Sequence, residues 1–412
     1  MLEGVCESHE VDVGLQVGIV GTGAFSQSFI PLFKAHPQVE RVVLCDLEEE
    51  KRTAAAARFQ ISDESPSLDA LCDSSVDAVC LFTQNWLHGP QAVQSLEAGK
   101  HVYSAVPPGI SVAEIENLVA AARSSSTVYM LGETSYYYPG VLYCREQYAR
   151  GAFGRVVYGQ AEYYHDWDHG LYDVARWRGG ENWRETAGIP PMYYPTHSTS
   201  QVISVTGARM TRVSCQGFRD ANDDGIYETN DWGNPFSNQS ALYSMSDGSV
   251  CRTNEFRRVG HPGCVRMGLQ GTEGGFEQTA AGASWLRKDG TRVESLDDLL
   301  TCTGQPVPGS DAMGSDPMGK VTASDGTHLG ASAVHPVERL PAAFAGLPNG
   351  HAGSHQFLVD DFLTACVNGT MPPNNAWDAA RYMLPGLIAH ESALHGGALL
   401  QVPDLGDPPD AG

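Results

Sequence analysis

The patterned part of the chain opens with a short apolar run, residues 17–20, of the kind that forms a strand buried on both faces. Gly21 and Gly23 follow at once, and residues 25–35 then suit a helix that ends near His36-Pro37. A second apolar run, 41–45, predicts another strand, with Asp46 at its carboxyl end. The alternation continues. Helices are expected over 51–59, 67–72, 89–97 and 111–123, and strands over 78–82, 101–104 and 128–131. Ser111 and Glu114 stand at the spacing of a capping box. Strands that alternate with helices imply right-handed crossovers and a parallel sheet covered on both faces.

Beyond about residue 135 the period changes. A tyrosine-rich helix over 136–150 is followed by runs that alternate every second residue, at 156–164, 210–218, 240–246, 249–256 and 264–271. Polar turns separate them, which predicts a mostly antiparallel sheet with one solvated or ligand-facing side. Residues 304–330 are rich in Gly, Ser, Asp and Pro without period, the composition of a long loop insert. Helical spacing returns at 355–366 and 376–394, before a polar tail. The expected organisation is a loose N-terminal tail (1–15), a first domain (16–135), a second domain (136–402) carrying the insert and the return helices 355–394, and a tail (403–412).

Composition narrows the classes of function. The 412 residues are 42% apolar, enough for two domains with sizeable cores. Forty-nine acids against 26 bases leave a net charge of −23, which argues against nucleic acid and anionic membranes as partners, since both need a basic face. The acidity itself reads as solubility. No stretch approaches the ~20 apolar residues of a membrane span. The N-terminus lacks the basic start and apolar centre of a secretion signal. The ten cysteines show no C-x-x-C spacing, and Cys45 and Cys80 lie inside apolar runs. They read as small buried residues in a reducing compartment, so a cytoplasmic location is expected.

The candidate chemistry begins at the first turn. Strand, Gly-x-Gly, helix, strand and acid form the dinucleotide-binding fingerprint in its required context. Gly21 permits the tight turn and Gly23 lets the backbone approach a pyrophosphate. Ala24, Phe25 and Ser26 lead into the helix, whose N-terminus offers N–H groups and a positive dipole end to that anion. Ser26 stands where a third glycine is usual and is small enough for the same packing. Asp46 can accept hydrogen bonds from a ribose diol and would repel a 2′-phosphate, so NAD is expected over NADP. The implied fold class is α/β: an N-terminal Rossmann, doubly wound parallel sheet plus a C-terminal α+β domain with an open, mostly antiparallel sheet. Two other stretches hold ligand-type residues. Asp220, Asn222, Asp224, Gly225 and Asp231 have the spacing of a calcium loop, but position twelve is Asp and not the usual Glu and the flanks are not two helices, so a polar turn between strands is the preferred reading. The run His165-Asp166-Trp167-Asp168-His169 fits no zinc spacing, and no metal is assigned.

Four pieces, in order, carry a resemblance. They are GIVGTGAFS (18–26), VDAVCLFTQNWLHGPQAVQSLEAGKHVYSAVPPG (76–109), the sheet-rich second half, and HQFLVDDFLTACVNG (355–369). Together they resemble the glucose–fructose oxidoreductase / inositol dehydrogenase (Gfo/Idh/MocA) family over nearly the whole chain apart from the tail and the insert. The resemblance implies NAD as cofactor and a second domain that carries the site for a small-molecule sugar and often an oligomer interface, so a homo-oligomer is expected. It also implies that Thr83, Asn85, His88, Ala105 and Pro107 line the cofactor pocket. Most dehydrogenases of the family have Glu-Lys-Pro where this chain has Ala105-Val106-Pro107, and that lysine assists proton transfer at the oxidised carbon. A valine cannot move a proton.

A narrower resemblance addresses the missing lysine. The NAD-dependent α-N-acetylgalactosaminidase-like glycosidases of the superfamily also have valine there, with Tyr-Pro-Thr-His and Tyr-x-His-Asp motifs. This chain has Tyr194-Pro195-Thr196-His197 and Tyr163-Tyr164-His165-Asp166, and residues 234–238 and 351–355 are similar to that group too. The resemblance implies recycled NAD: a sugar hydroxyl, usually at C3, is oxidised, the acidified C2–H is lost, the C1 substituent leaves, water adds and the ketone is reduced. On that basis His197 is the candidate for proton removal at the oxidised carbon, Tyr194 and Tyr163 for general acid/base work, and His165 and His351 for lining the substrate. Each has a plainer reading, as a satisfied histidine or a packing tyrosine. Two other functions stay open: a plain NAD-dependent sugar or cyclitol dehydrogenase, and a non-catalytic sugar/NAD sensor.

Overall fold

The computed structural model describes residues 14–222, 224–290, 293–303 and 328–409. The expected N-terminal tail up to residue 13 and the expected insert from 304 to 327 lie outside the described residues. Strands β1 (Leu15–Val20), β2 (Val39–Cys45), β3 (Asp63–Ser65), β4 (Ala78–Leu81), β5 (His101–Ser104) and β6 (Tyr129–Leu131) form one parallel sheet in the order β3-β2-β1-β4-β5-β6. Val17 pairs with Val42 on one side and with Ala78 on the other. The order reverses beside β1, the switch point where a crevice opens at the carboxyl ends of the strands.

Helices α1 (Ile30–Ala35), α2 (Glu49–Phe59), α3 (Leu68–Cys72), α4 (His88–Glu97) and α5 (Val112–Ser124) connect these strands. The expected helix over 25–35 is split. A 3-10 turn, Ser26–Ser28, precedes α1, and Pro31 has no N–H with which to extend the helix backwards. The Ser111 hydroxyl accepts the Glu114 N–H at 3.2 Å, as a cap should, while the Glu114 carboxylate takes the Ile110 N–H at 2.9 Å. Strand β3 was outside the hydrophobic pattern because Asp63-Glu64-Ser65 is polar; backbone pairing of Val43 with Asp63 makes it a strand.

The second sheet has nine strands: β7 (Val156–Tyr164), β8 (Met210–Arg219), β9 (Phe236–Met245), β10 (Val250–Phe256), β11 (Cys264–Gly271), β12 (Gly274–Thr279), β13 (Gly282–Arg287), β14 (Val293–Ser295) and β15 (Leu400–Gln401). Their order is β14-β13-β12-β11-β7-β10-β9-β8-β15. Every pair is antiparallel except β7 with β10. The remaining helices are α6 (Pro139–Ala149), α7 (Leu171–Gly179), α8 (Trp183–Ala187), α9 (Thr196–Thr206), α10 (Asp297–Leu300), α11 (Gly350–Asn368) and α12 (Ala376–Leu394). Helices α7, α8 and α9 fill the interval between β7 and β8, for which the alternating pattern predicted no element. Helix α9 seats directly on β7, where a Cβ added at Gly159 would stand 2.9 Å from Val202.

The last long helices bind the two sheets together. The Phe362 ring of α11 lies 5.6 Å from Tyr103 and 6.5 Å from Phe33, inside the core beneath the first sheet. Helix α12 packs on β8, α5 and α9. Cys45 and Cys80 are free thiols and fully buried. Among the described residues no helix is long and apolar enough to cross a membrane. Because Phe362 is fully buried in a core built mostly by residues more than 200 positions away, Phe362→Ala should destabilise the fold by about 3–5 kcal/mol. Urea unfolding checks this; a loss below about 1 kcal/mol would mean that α11 is not part of that core.

Candidate active site

A cavity of about 670 Å³ opens at the carboxyl ends of the first sheet and continues against the second. Its wall includes Gly21, Gly23, Ala24, Phe25, Asp46, Thr83, Asn85, His88 and Ala105 from the first half, and Tyr163, His165, Tyr194, His197 and His351 from the second. Ser26 and Pro107 stand behind that wall. The Ser26 hydroxyl donates to Gly23 O at 2.9 Å, and Pro107 O lies 2.8 Å from His88 Nδ1.

The first half of the wall fits a dinucleotide. Gly21 has φ +89°, and a Cβ there would stand 2.6 Å from Phe82 O. Its N–H donates to Cys45 O at 2.8 Å, which ties the turn to the end of β2. A Cβ on Gly23 would fall 2.3 Å from the Trp177 ring of α7, so only glycine leaves room at this bend. Asp46 accepts the Thr22 N–H at 2.8 Å and the Thr22 hydroxyl at 3.0 Å through one oxygen, and the Glu48 N–H at 3.0 Å through the other. A carboxylate offers about four acceptor positions, so one remains for a ribose hydroxyl. Burial pushes His88 down to about 4, so its neutral ring carries a single N–H between Pro107 O and Thr83 O, the latter 3.0 Å away.

The second half gathers the tyrosine and histidine motifs. His197 lies in the first turn of α9, and Tyr194 ends the 3-10 turn Pro191–Tyr193 just before it. Tyr163 and His165 come from the end of β7. The rings of Tyr163 and Tyr194 stand 5.1 Å and 5.3 Å from His197, both edge-on, and 5.9 Å from each other. The turn that carries Tyr194 rests on α12, where a Cβ on Gly386 would meet Met192 O at 2.4 Å. Burial raises the Tyr163 phenol, against the pull of Arg257, and raises Tyr194, against Arg178. Burial, with the charges of Arg257 and Arg178, pushes His165 down to about 3. The Tyr163 hydroxyl and His165 Nδ1 are hydrogen-bonded at 3.2 Å. His351 lines the same cavity on its other side, against Phe25 of the glycine turn at 5.5 Å, with Nδ1 2.9 Å from His355 Nε2. It sits in a run of three left-handed residues, His351, Ala352 and Gly353, that opens α11.

Four charged residues of the site were not singled out in the sequence. Glu133 follows β6, is fully buried, and contacts His197 Nδ1 at 2.7 Å. Burial opposes its charge, but the neighbouring His197 and hydrogen bonds outweigh that and hold the carboxyl below its ordinary range. An acid just past the carboxyl end of a parallel strand was the available signal. Glu255 of β10 is pushed up to about 7 by burial; it accepts the Ser198 hydroxyl at 2.5 Å and pairs with Arg257 at 3.2 Å. Arg257 lies over the Tyr163 ring at 4.6 Å, and Arg178 of α7 lines the cavity. In the stretch with calcium-loop spacing, Asp220 pairs with Arg258 at 2.9 Å and Asp224 pairs with the same guanidinium, while Asp223 lies outside the described residues. These two acids thus work as the polar turn, tying the loop to the β10 end.

Residues 15–133 match the family model for Gfo/Idh/MocA, an oxidoreductase family with an NAD-binding Rossmann fold. A glycosyl hydrolase family 109 protein of Saccharopolyspora erythraea is 27% identical over 225 residues, which is 50% of this chain and 48% of that protein. One of Streptomyces niveus is 24% identical over 423 residues, 95% of this chain and 77% of that protein. The chain spans about half the length of the Saccharopolyspora and Shewanella amazonensis relatives it matches, 48% and 44%. A levoglucosan dehydrogenase in complex with NADH has the same fold, with TM-score 0.73 and 18% identity over 95% of this chain and 100% of that one.

The Asp46 carboxylate makes cofactor choice testable. One buried-side negative charge near a 2′-phosphate is worth on the order of 1–4 kcal/mol, so Asp46→Ala should narrow the ratio of NAD to NADP affinity by about tenfold or more. Equal ratios in the two proteins by calorimetric titration would remove Asp46 from this role. Turn, acid and family match agree: residues 15–133 form an NAD-binding Rossmann domain that matches the model of the Gfo/Idh/MocA oxidoreductase family.

Proposed function

We propose that the protein is an NAD-dependent enzyme acting on a sugar or glycoside, and that it cleaves glycosides without net redox change. The substrate hydroxyl at C3 becomes a ketone, the C2 proton is removed, the C1 substituent leaves, water adds, and the ketone is reduced again. NAD, when bound, supplies the two-electron acceptor and donor for the carbon at C3. The observation that carries this reading is the convergence of Tyr163, His165, Tyr194 and His197 on a cavity that also contains Gly21, Gly23 and Val106.

The proton work divides by environment. Val106 has no proton to exchange, which leaves His197 to take the proton from the hydroxyl that is oxidised. Glu133 occupies Nδ1, so Nε2 is the nitrogen that does this. Burial raises both phenols, against Arg178 at Tyr194 and against Arg257 at Tyr163, and the two serve the general acid/base work at C2 and at the leaving oxygen. His165 and His351 line the substrate. The glycosyl hydrolase family 109 names of relatives support the same class. Exposed Phe218, Leu242 and Val250 on the second sheet support a homo-oligomer, and the free, buried thiols of Cys45 and Cys80 support a cytoplasmic location.

Purified protein should carry NAD, and turnover of an aryl glycoside should release the aglycone with no net NADH. In heavy water the product should gain deuterium at C2; its absence rules out elimination. NADH rising in step with product would identify a plain sugar or cyclitol dehydrogenase instead. His197→Ala should lower turnover by about 10²–10⁴-fold while NAD stays bound. If no glycoside or sugar reacts and His197→Ala changes nothing, the sensor reading stands.

A further inference from the structure

We propose that Glu133 is the positioning residue for His197, fixing the imidazole with a proton on Nδ1 so that Nε2 is the nitrogen that exchanges a proton. The role of His197 as a base rests on the function proposed above; the tautomer does not. Glu133 Oε1 accepts the Ser135 N–H at 2.9 Å and the Ser135 hydroxyl at 2.7 Å, and His197 Nδ1 is 2.7 Å away. A carboxylate with those donors is itself an acceptor, so Nδ1 must supply the hydrogen. Both side chains are buried, with relative exposures of 3% for His197 and 0% for Glu133, so water does not compete.

The segments that carry the pair are also tied together. The Ser135 hydroxyl meets Ser200 at 2.7 Å, and Gln201 donates to His197 O at 2.8 Å. The titratable and charged groups facing His197 are Glu133 after β6, Tyr163 on β7, Tyr194 before α9, and Glu255 on β10, with Arg257 and Arg178 beyond the tyrosines. Glu255 is directed to Ser198 and Arg257, so Glu133 is the carboxylate that meets the ring. The need for such a partner follows from Val106. An amine at the usual lysine position has equivalent protons, whereas an imidazole accepts a proton at Nε2 only when the other tautomer is excluded.

The test uses the full chain with NAD bound and ¹⁵N-labelled histidine, with the His197 signals assigned by their loss in His197→Ala. Long-range ¹H–¹⁵N spectra of the wild type should show the proton on Nδ1. A proton on Nε2 with none on Nδ1 in the wild type overturns the proposal, and no substrate enters that reading. In Glu133→Ala, which removes the acceptor, the Nδ1–H pattern should be lost, and Glu133→Asp should keep the wild-type one. An unchanged pattern in a folded Glu133→Ala protein also overturns it. On a glycoside substrate, Glu133→Ala should lose about 10²–10⁴-fold in kcat, with Glu133→Asp recovering part of it and NAD affinity constant in both. Wild-type Nδ1–H in a protein that turns over no glycoside would support the positioning and count against the proposed reaction.

Discussion

An ionised carboxylate taken out of water is tolerated only if charge and hydrogen bonds surround it, since an unpaired one costs several kcal/mol. Glu133 meets that constraint with groups from both halves of the molecule. It ends the last strand of the parallel sheet, while His197 and Ser200, which complete its network, belong to the helix that lies on the nine-stranded sheet. The two sheets can therefore meet in only a narrow range of arrangements. Moving α9 by a few ångströms would strand the carboxylate, the imidazole or both. The same contact draws His197 to the end of the cavity that begins at Gly21.

The opposite wall depends on a smaller device. Trp167, Ala175, Trp183, Ile226 and Tyr227 form a core of their own, apart from those beneath the two sheets. This cluster carries α7 across the mouth of the cavity, so that Trp177 lies on Gly23 and Arg178 reaches the tyrosines. Arg258 secures it through Asp220, Asp224 and the Tyr172 hydroxyl, 3.1 Å away. Residues that read as a possible calcium loop in isolation thus serve to anchor the wall from which Arg178 is presented.

Much of this was legible in one dimension because it obeys short periods. The fully apolar runs of β1 and β4, the glycine turn, the position of Asp46, the cap at Ser111 and the alternation in β7 and β11 all follow from contacts a few residues apart. The tyrosine and histidine motifs were legible as motifs, and the fold brings them to one cavity. What escaped was set by distant partners. Strand β3 is polar and exists through pairing with β2. Helices α7 and α8 bury only part of their surface, and α9 opens with six polar residues, Thr196 to Gln201, that are buried all the same, so no apolar stripe marks its helical period.

By itself, then, the chain's sequence determined the parallel α/β half, its dinucleotide turn and its acid, because strand burial, glycine conformation and helix capping are local properties. Only the tertiary structure decided that Phe362 completes the core of that half, that Asp220 and Asp224 face an arginine, and that Glu133 stands against His197. Glu133 and His197 lie 64 positions apart. A carboxylate has no preferred partner along the chain; what it contacts depends on which groups the packed sheets deliver to it once water has been excluded.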